Sequence, residues 1–249
     1  MKEKTFNTVF NIVLLVGMLL AVSISTAFKL SDPAADRVML LVAAAGAVMG
    51  VVNTVLSANG RILTFLFGFL DVCIYSYVCW RNGVYGQFAL HAFFFLPMQF
   101  VGFFQWRRRG ADTAHQVKAR RFNRKQWIMF ISAVVAGLAV AVAILSRVER
   151  LSGGEPDRVK ILADSAALVF NILGQILLSL AFAEQWICWI LVNIFSVTIW
   201  VHALAVDPSS SSATVMLLKY GFYFLNSLNG LRIWMKLSRE EVPDEVAIG

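Results

Sequence analysis

The sequence predicts an all-α integral membrane protein. Hydrophobic residues make up 59% of its 249 residues, charged residues make up 15%, and the mean hydropathy is +0.70. Apolar runs of about 18 or more residues without charge are typical of membrane-spanning helices, because about 20 residues at 1.5 Å rise cross the hydrocarbon core. A strand barrel would need alternating segments of about ten residues, whereas the runs here are continuous.

Eight apolar runs predict eight transmembrane helices. They cover residues 6–28, 38–58, 62–80, 84–106, 126–146, 161–182, 186–206 and 214–234. Short polar breaks separate most of them, among them Glu184 with Gln185 and the serine-rich stretch 207–212. The first run follows Lys2 and Lys4 as a secretory signal would. We interpret it instead as an additional N-terminal transmembrane helix within residues 1–37.

The excess positive charge, formally +7, is concentrated in one loop. Segment 107–125 carries eight of the 22 Lys and Arg residues. Because short basic loops stay on the cytoplasmic side of a membrane, this loop predicts that both chain termini are cytoplasmic. We interpret it as a topology signal, with contact to anionic lipid as the alternative. Its position between two spans argues against nucleic acid, so we expect the lipid bilayer but no nucleic acid as a partner.

An internal repeat links two parts of the chain. GRILTFLFGFLDV to GFFQW (60–106) and QWICWILVNIFSV to GLRIW (185–234) both end in Gly, three residues and Trp. The chain offset between them is 125 residues where Gly68 matches Asn193, and 128 at the closing motif, where Trp106 matches Trp234. Upstream, NTVLS and QILLS also align, so each unit comprises three helices.

The repeat predicts the domain organisation. Both units enter the membrane from the same side, so they are parallel repeats. An odd number of spans must separate two such units, and the single helix 126–146 supplies it. Parallel repeats with the substrate between them are a known transporter construction. The predicted parts are an N-terminal helix (1–37), repeat 1 (38–106), the basic loop and linking helix (107–160), repeat 2 (161–234) and a cytoplasmic tail (235–249).

One face of the seventh predicted span carries two indoles and an amide. Trp186, Trp189 and Asn193 fall at i, i+3 and i+7 and therefore share one helix face. Stacking surfaces followed by an amide suit a planar heteroaromatic ligand that bears an amide or hydroxyls. The alternative is that the tryptophans belong to the aromatic belt of the membrane interface.

The last predicted span repeats this pattern with Phe222, Asn226 and Asn229 at i, i+4 and i+7. Polar residues inside a membrane need a partner or a water-filled cavity. Two asparagines on one face favour a lined cavity, although asparagines also join helices to one another. Arg232, near the end of this span, is expected to extend to the interface.

Other polar residues within spans extend the candidate lining. Asp164, Asn171 and Gln175 form a polar stripe at i, i+7 and i+11, in which a helix cap or a rim salt bridge is an equal alternative for Asp164. Asp71 stands near the middle of its span, where a carboxylate serves as a proton carrier, a countercharge or a hydrogen-bonded packing residue. These three roles stay open at this point.

The fourth predicted span contributes Gln87 and His91 at i and i+4, and Gln99 after Pro97. Pro97 removes a backbone donor and predicts an irregular helix there, of the kind that serves as a hinge. His91 is interpreted as a packing histidine or a proton relay. The sequence shows no catalytic residue set and no metal-ligand spacing, so we expect neither an enzyme nor a metal site nor a cofactor.

Several motifs together resemble one family. The sequence EQWICWILVNIFSV, followed some forty residues later by SLNGLRIW, and the earlier GFLDV to GFFQW block are similar to the PnuC family of bacterial vitamin transporters. The resemblance covers residues 38–236. It implies a full-length SWEET-like fold of two parallel three-helix bundles joined by a linking helix, in the bacterial inner membrane.

The same resemblance implies a function. Family members carry nicotinamide riboside by facilitated diffusion, with net uptake driven by intracellular phosphorylation, and assemble as homotrimers. Trp186, Trp189 and Asn193 match the tryptophan motif. Asn229 falls in the LNG motif and Asn226 just before it. Gln87 and Gln99 transfer less securely, and Asp71 departs from the asparagine expected at its place. The alternatives are a carrier of thiamine, riboflavin or a sugar on the same scaffold, or a membrane enzyme.

Overall fold

All the regular elements that the structure describes are helices. The computed structural model describes residues 2–33, 36–111, 116–151, 157–206 and 211–239. The elements are α1 (Lys2–Leu30), α2 (Arg37–Ala58), α3 (Thr64–Arg81), α4 (Tyr85–Leu90), a π-helical turn (His91–Phe95), α5 (Leu96–Arg108), α6 (Arg124–Leu151), α7 (Arg158–Ser179), α8 (Gln185–Val206) and α9 (Ser211–Leu237). The stretch 207–212 lies mostly outside the described residues, and so does most of the tail 235–249.

Six helices of the described part of the chain are long and apolar enough to cross a membrane. They are Thr5–Leu30, Arg37–Ala58, Tyr85–Arg108, Arg124–Leu151, Arg158–Ser179 and Gln185–Val206. The helices α3 and α9 fall outside this set. The prediction of an all-helical protein with several spans is confirmed, whereas a count of eight spans goes beyond what length and composition establish.

The fourth predicted span is interrupted directly before Pro97. Residues His91–Phe95 form a π-helical turn in which the Leu96 N–H donates to the His91 carbonyl, five residues back. Because Pro97 has no N–H, it cannot continue the ordinary bonding pattern of an α-helix. The predicted irregularity is therefore present as a π turn, a feature that is frequent at functional sites.

Six of the helices form a closed ring of packed neighbours. Around the ring, α2 packs on α3, α3 on α5, α5 on α7, α7 on α8, α8 on α9, and α9 on α2. Outside this order, α1 packs on α2 and α9, and α6 packs on α7. The third helix of each predicted repeat thus packs against the first helix of the other repeat.

Two fully buried tryptophans bond across this ring. Trp106 of α5 donates its Nε1 hydrogen to the Leu178 carbonyl of α7 at 2.7 Å, and Trp234 of α9 donates to the Ser57 carbonyl of α2 at 2.9 Å. Both side chains are 0% exposed, and their ring centroids lie 5.2 Å apart. Each indole therefore bonds to the predicted repeat to which it does not belong. We call this pair the crossed indoles.

The glycine of each Gly-x3-Trp motif makes room for an aromatic ring. A Cβ on Gly230 would lie 2.6 Å from the indole carbons of Trp186, and a Cβ on Gly102 would overlap the ring of Phe65. Real Cβ atoms do not approach side chains so closely, so only glycine fits at either place without repacking. The spacing of the motif thus places one aromatic contact and one crossed indole on the same helix.

The basic segment 116–122 hydrogen-bonds to two turns, the one between α2 and α3 and the one between α7 and α8. Gln116 Nε2 donates to the Asn59 carbonyl at 2.9 Å, and the Val117 N–H donates to the Gly60 carbonyl at 3.0 Å, both in the α2–α3 turn. Arg120 exchanges backbone hydrogen bonds with the α7–α8 turn, donating to Ala181 and accepting from Ala183. We call the end of the helix ring that contains these two turns and segment 116–122 the basic end, and the opposite end the far end.

Glu184 and Gln185, predicted as a polar break, are buried at the basic end. Their exposed fractions are 3% and 0%. Glu184 Oε1 accepts from Arg121 Nε at 2.9 Å and from the Phe122 N–H at 3.0 Å. The break between two helices lies where it was predicted, and its two polar residues are buried because the basic segment folds over them.

Candidate functional site

The indoles and the amide of α8 lie between α7 and α9. Trp186 is 2% exposed and rests on Gly230 of α9, while the indole of Trp189 contacts Gly174 of α7. Asn193, which is 5% exposed, donates Nδ2 to Ser227 Oγ of α9 at 2.9 Å. Trp186 is thus enclosed by protein, and Trp189 is partly exposed beside the buried amide.

The two asparagines of α9 are buried, and each leaves one amide atom without a partner. Asn226 Nδ2 donates to the Thr54 carbonyl of α2 at 3.2 Å, whereas its Oδ1 has no hydrogen bond. Asn229 Oδ1 accepts from Arg232 Nη2 at 2.9 Å, whereas its Nδ2 has none. One amide of this pair therefore joins α9 to α2, and both retain capacity for a further bond.

Four unpaired buried atoms belong to α8 and α9. They are Gln185 Nε2, Trp186 Nε1, Asn226 Oδ1 and Asn229 Nδ2. Leaving a buried donor or acceptor unpaired costs about 1–3 kcal/mol, so such atoms are explained by a bound molecule or by water. Three of the four are donors and one is an acceptor, and each can bond to a carboxamide or a hydroxyl group of a ligand.

Gln185 was missed by the sequence analysis. Its pairing with Glu184 gave the appearance of a loop, and its burial depends on the distant basic segment. Its Oε1 accepts from Trp189 Nε1 at 3.4 Å, which connects it to the predicted tryptophan motif. The i, i+4 spacing of these two residues was the signal that could have indicated it.

Gln99 of the first predicted repeat stands at the position that Ser227 occupies in the second. It is 6% exposed, and its Oε1 would lie 2.5 Å from a Cβ on Gly68, with Asn53 Oδ1 3.3 Å from the same point. In the repeat alignment Gly68 matches Asn193 and Gln99 matches Ser227. The contact of Gln99 with Gly68 is therefore the counterpart of the bond from Asn193 to Ser227.

The polar stripe of α7 is divided among different surroundings. Gln175, 5% exposed, lies 3.4 Å from Ser179 Oγ, which in turn donates to the Met98 carbonyl of α5. Asn171 bonds to the Ala167 carbonyl of its own helix. Asp164 is partly buried in the second turn. Of this stripe, Gln175 is linked to α5 only indirectly, through Ser179 of its own helix.

The cap of α7 is Asp157 and not Asp164, so the cap alternative for Asp164 is wrong. Asp157 Oδ1 accepts from the N–H groups of Val159 and Lys160, and its Oδ2 lies 2.8 Å from His202 Nε2 of α8. The N–H of Lys160 and the side chain of His202 lower the pKa of the Asp157 carboxyl from its ordinary value. The acidic residue nearest the helix start makes the cap because only that position faces the free N–H groups.

Three further predicted residues have partners elsewhere. Gln87 is exposed, and its carbonyl lies 2.9 Å from His91 Nδ1. The His91 ring packs in a tilted orientation against Tyr75 and Phe95, with ring centroids 4.5 Å and 4.9 Å away. Phe222 packs on α1, where a Cβ on Gly17 would lie 2.5 Å from its ring. No described contact connects these three with the unpaired atoms of α8 and α9, and their roles at the site stay predictions.

Asp71 faces α2. A Cβ on Gly50 would lie 2.9 Å from Asp71 Oδ2, so the carboxylate lies directly against the backbone of that helix. Lys219 of α9 is close enough to interact with it electrostatically. The three roles that the sequence left open for Asp71 stay predictions.

Fold and site together define a class. Long apolar helices enclose amides and indoles whose hydrogen-bonding capacity is incompletely used, as in a helical membrane protein that binds a planar small molecule in its interior.

The comparisons with known proteins identify the family. A family described as Nicotinamide mononucleotide transporter matches residues 40–236. The nicotinamide riboside transporter PnuC of Neisseria mucosa is 34% identical over 199 residues, covering 78% of this chain and 72% of the relative. The protein of the same name from Haemophilus influenzae is 29% identical over 192 residues, 76% of this chain and 77% of its own. The chain belongs to the nicotinamide mononucleotide transporter family, and the resemblance to PnuC proteins is confirmed.

A solved structure agrees with this assignment. The crystal structure of the vitamin B3 transporter PnuC superposes with a TM-score of 0.65 at 30% sequence identity, covering 94% of this chain and 93% of that chain. The protein is accordingly a multi-pass membrane protein of a transporter family of the bacterial inner membrane.

Proposed function

We propose that this protein carries nicotinamide riboside across the bacterial inner membrane by facilitated diffusion, and that phosphorylation of the nucleoside inside the cell drives net uptake. The observation that supports the proposal most directly is the group of unpaired buried atoms on α8 and α9. Its chemistry suits a carboxamide and ribose hydroxyls, and the named relatives are nicotinamide riboside transporters.

In this proposal the indoles hold the nicotinamide ring and the amides orient it. Trp189, which is partly exposed, stacks on the nicotinamide ring, and Trp186 lies behind it against Gly230. Asn193, Asn226 and Asn229 bind the carboxamide and the ribose, and Gln99 and Gln185 complete the polar wall. Asn193 is already bonded to Ser227, so ligand binding exchanges this bond for one to the substrate.

We further propose that the architecture consists of eight spans in a SWEET-like arrangement. Two parallel units, 38–106 and 161–234, are joined by the linking helix within 107–160, and an extra helix within 1–37 precedes them. The crossed indoles support this repeat, since each donates to the end of the first helix of the other unit. The basic end is cytoplasmic, which also places both termini there. Assembly as a homotrimer rests on the family resemblance.

Alternating access then requires the basic end to loosen. Opening to the cytoplasm separates the α2–α3 turn from the α7–α8 turn, both of which bind segment 116–122. The π turn His91–Phe95 before Pro97 supplies a place where the fourth span bends. Binding is therefore modest in affinity, because a tightly held substrate would not leave.

Uptake by the purified protein in liposomes tests the proposal. Radiolabelled nicotinamide riboside should exchange across the membrane without a sodium or proton gradient, and unlabelled nicotinamide riboside inside should accelerate entry of the label. Trp189→Ala and Asn193→Ala should each weaken binding about tenfold or more, the effect of losing one stacked ring or one buried hydrogen bond. Trp80→Ala and Thr198→Ala are matched controls, because both side chains are exposed.

The choice of probe also separates the competing ligands. Competition by nicotinamide mononucleotide, thiamine or riboflavin in the same assay shows which of them the site accepts. Tighter binding of any of these than of nicotinamide riboside overturns the substrate assignment and leaves the family unchanged. Conversion of the vitamin without translocation would overturn transport itself.

A further inference from the structure

The side chain of Asp71 packs against a part of α2 that is formed by two glycines. On α2, Gly46 and Gly50 stand one turn apart, and a Cβ on Gly50 would lie 2.9 Å from Asp71 Oδ2 and 3.2 Å from its Oδ1. A Cβ on Gly46 would lie 2.8 Å from Ile74, the residue three positions after Asp71, and 4.0 Å from Asp71 Oδ1. Helix α2 thus presents bare backbone where α3 presents its carboxylate.

Asp71 shares a helix face with Gly68, three positions earlier on α3, and a Cβ on Gly68 would lie 2.5 Å from Oε1 of the candidate lining residue Gln99. In the repeat alignment, with its offset of 125, Asp71 matches Ser196. Ser196 is 5% exposed and lies on the same face as Asn193 at i+3. Asp71 lies seven residues into α3 and Asn193 eight residues into α8, both counted from the basic end. At 1.5 Å per residue they stand at similar depth, about 10 and 12 Å.

The opposite charge comes from α9. Lys219 interacts electrostatically with Asp71, and its ammonium lies 5.5 Å from the ring centroid of Tyr223. Because α3 and α9 both pack on α2, these two opposite charges stand in different predicted repeats beside the same helix. An intramembrane carboxylate needs a cation nearby, since the low dielectric makes an isolated charge unfavourable.

The proposed substrate is itself a cation. The ring nitrogen of nicotinamide riboside bonds to the sugar, so the pyridinium carries a permanent positive charge. We propose that Asp71 is a specificity-determining countercharge, which pairs with Lys219 in the empty protein and with the positively charged ring of the ligand when the site is filled. The inference rests on the proposed function. It extends that function to a selection of cationic over neutral planar ligands, and it makes Lys219 a competitor that lowers affinity.

Two ligands of nearly the same shape and different charge test this. Nicotinamide riboside is cationic, and its 1,4-dihydro form is neutral. Binding of both is measured by calorimetry to the detergent-purified wild type, Asp71→Asn and Lys219→Met. Asp71→Asn should weaken binding of the cation about tenfold, as expected for one lost charge interaction, and change binding of the neutral form less than about threefold. Lys219→Met should strengthen binding of the cation and leave the neutral form unchanged.

A charge-matched control removes one acidic group elsewhere. Asp36→Asn, at the N-cap of α2, keeps the capping oxygen and should bind both ligands like the wild type. Size-exclusion profiles and unfolding temperatures show that each variant is folded. If Asp71→Asn is unfolded, Lys219→Met still tests the competition.

The outcomes separate the two proposals. If the wild type binds neither ligand, the proposed function is wrong. If the wild type binds both, and Asp71→Asn affects both equally or neither, the transport assignment stands and the countercharge inference is overturned. Weaker binding of the cation by Lys219→Met would also overturn it, because the lysine would then support binding and not compete with the ligand.

Discussion

The two ends of the helix ring differ in how their helices are joined. At the basic end, segment 116–122 bonds to the turns on both sides of the ring, Arg121 pairs with Glu184, and the crossed indoles connect the two predicted repeats. At the far end, among the described residues, the cross-helix side-chain pair is Asp157 with His202, which is more than one-third exposed on both sides. The difference indicates that the far end opens more readily and that the basic end is the tighter closure.

The largest effect is expected from removing a crossed indole. Trp234→Ala removes a side chain that is 0% exposed and its bond to the Ser57 carbonyl. Truncation of a buried aromatic residue costs about 3–5 kcal/mol, so the variant should show a clearly lower thermal unfolding temperature in detergent. Trp80→Ala, at a position that is 54% exposed, should stay near the wild-type value. An equal loss in both variants would show that the crossed indoles do not hold the basic end.

A smaller effect is expected from a single methyl group at the basic end. Gly230→Ala places a Cβ 2.6 Å from the indole of Trp186 and should cost about 1–3 kcal/mol through overpacking. Gly221→Ala on the same helix meets nothing within 4 Å and should be neutral or slightly stabilising. Unfolding temperatures of the two variants check this. Similar values for both would mean that Trp186 has room to move, which would weaken the view of a tight basic end.

The smallest effect is expected at the far end and depends on pH. The pKa of the Asp157 carboxyl is lowered in the folded protein, so its ionised form stabilises the fold above the ordinary pKa of about 4, and this contribution is lost as the pH falls through the folded value. Asp157→Asn keeps the capping oxygen and removes the titration. The unfolding temperature of the wild type should therefore decline more than that of Asp157→Asn on acidification from about pH 5 to pH 3. A parallel decline would contradict the prediction.

The helices were predictable because membrane thickness fixes the length of an apolar run. The predicted span 161–182 corresponds to Arg158–Ser179, and 84–106 corresponds to Tyr85–Arg108 with its irregularity before Pro97. Helical spacing also showed which residues share a face. It did not show which neighbour that face meets, so Phe222 was grouped with the asparagines although its ring packs on Gly17 of α1.

The basic end was the part that local sequence could not predict. Glu184 and Gln185 have the polarity of a loop, and only contact with residues some sixty positions earlier buries them. Segment 116–122 carried a charge signal that predicts topology, and charge alone does not indicate that its backbone bonds to two turns. Likewise, the unpaired atom of Gln185 became recognisable only once its burial was known.

The crossed indoles have a consequence for shortened forms of this protein. A half-length chain that ended before α6 would contain Trp106 but not the Leu178 carbonyl that accepts its hydrogen, and it would contain the Ser57 carbonyl without a donor. The complementary half, from α6 onward, supplies the Leu178 carbonyl and the Trp234 donor, so the two different halves satisfy each other. The hydrogen bonds between the two halves of the single polypeptide therefore resemble those between the subunits of a dimer. The two halves are expected to assemble when they are coexpressed, and either half expressed alone is expected not to fold stably.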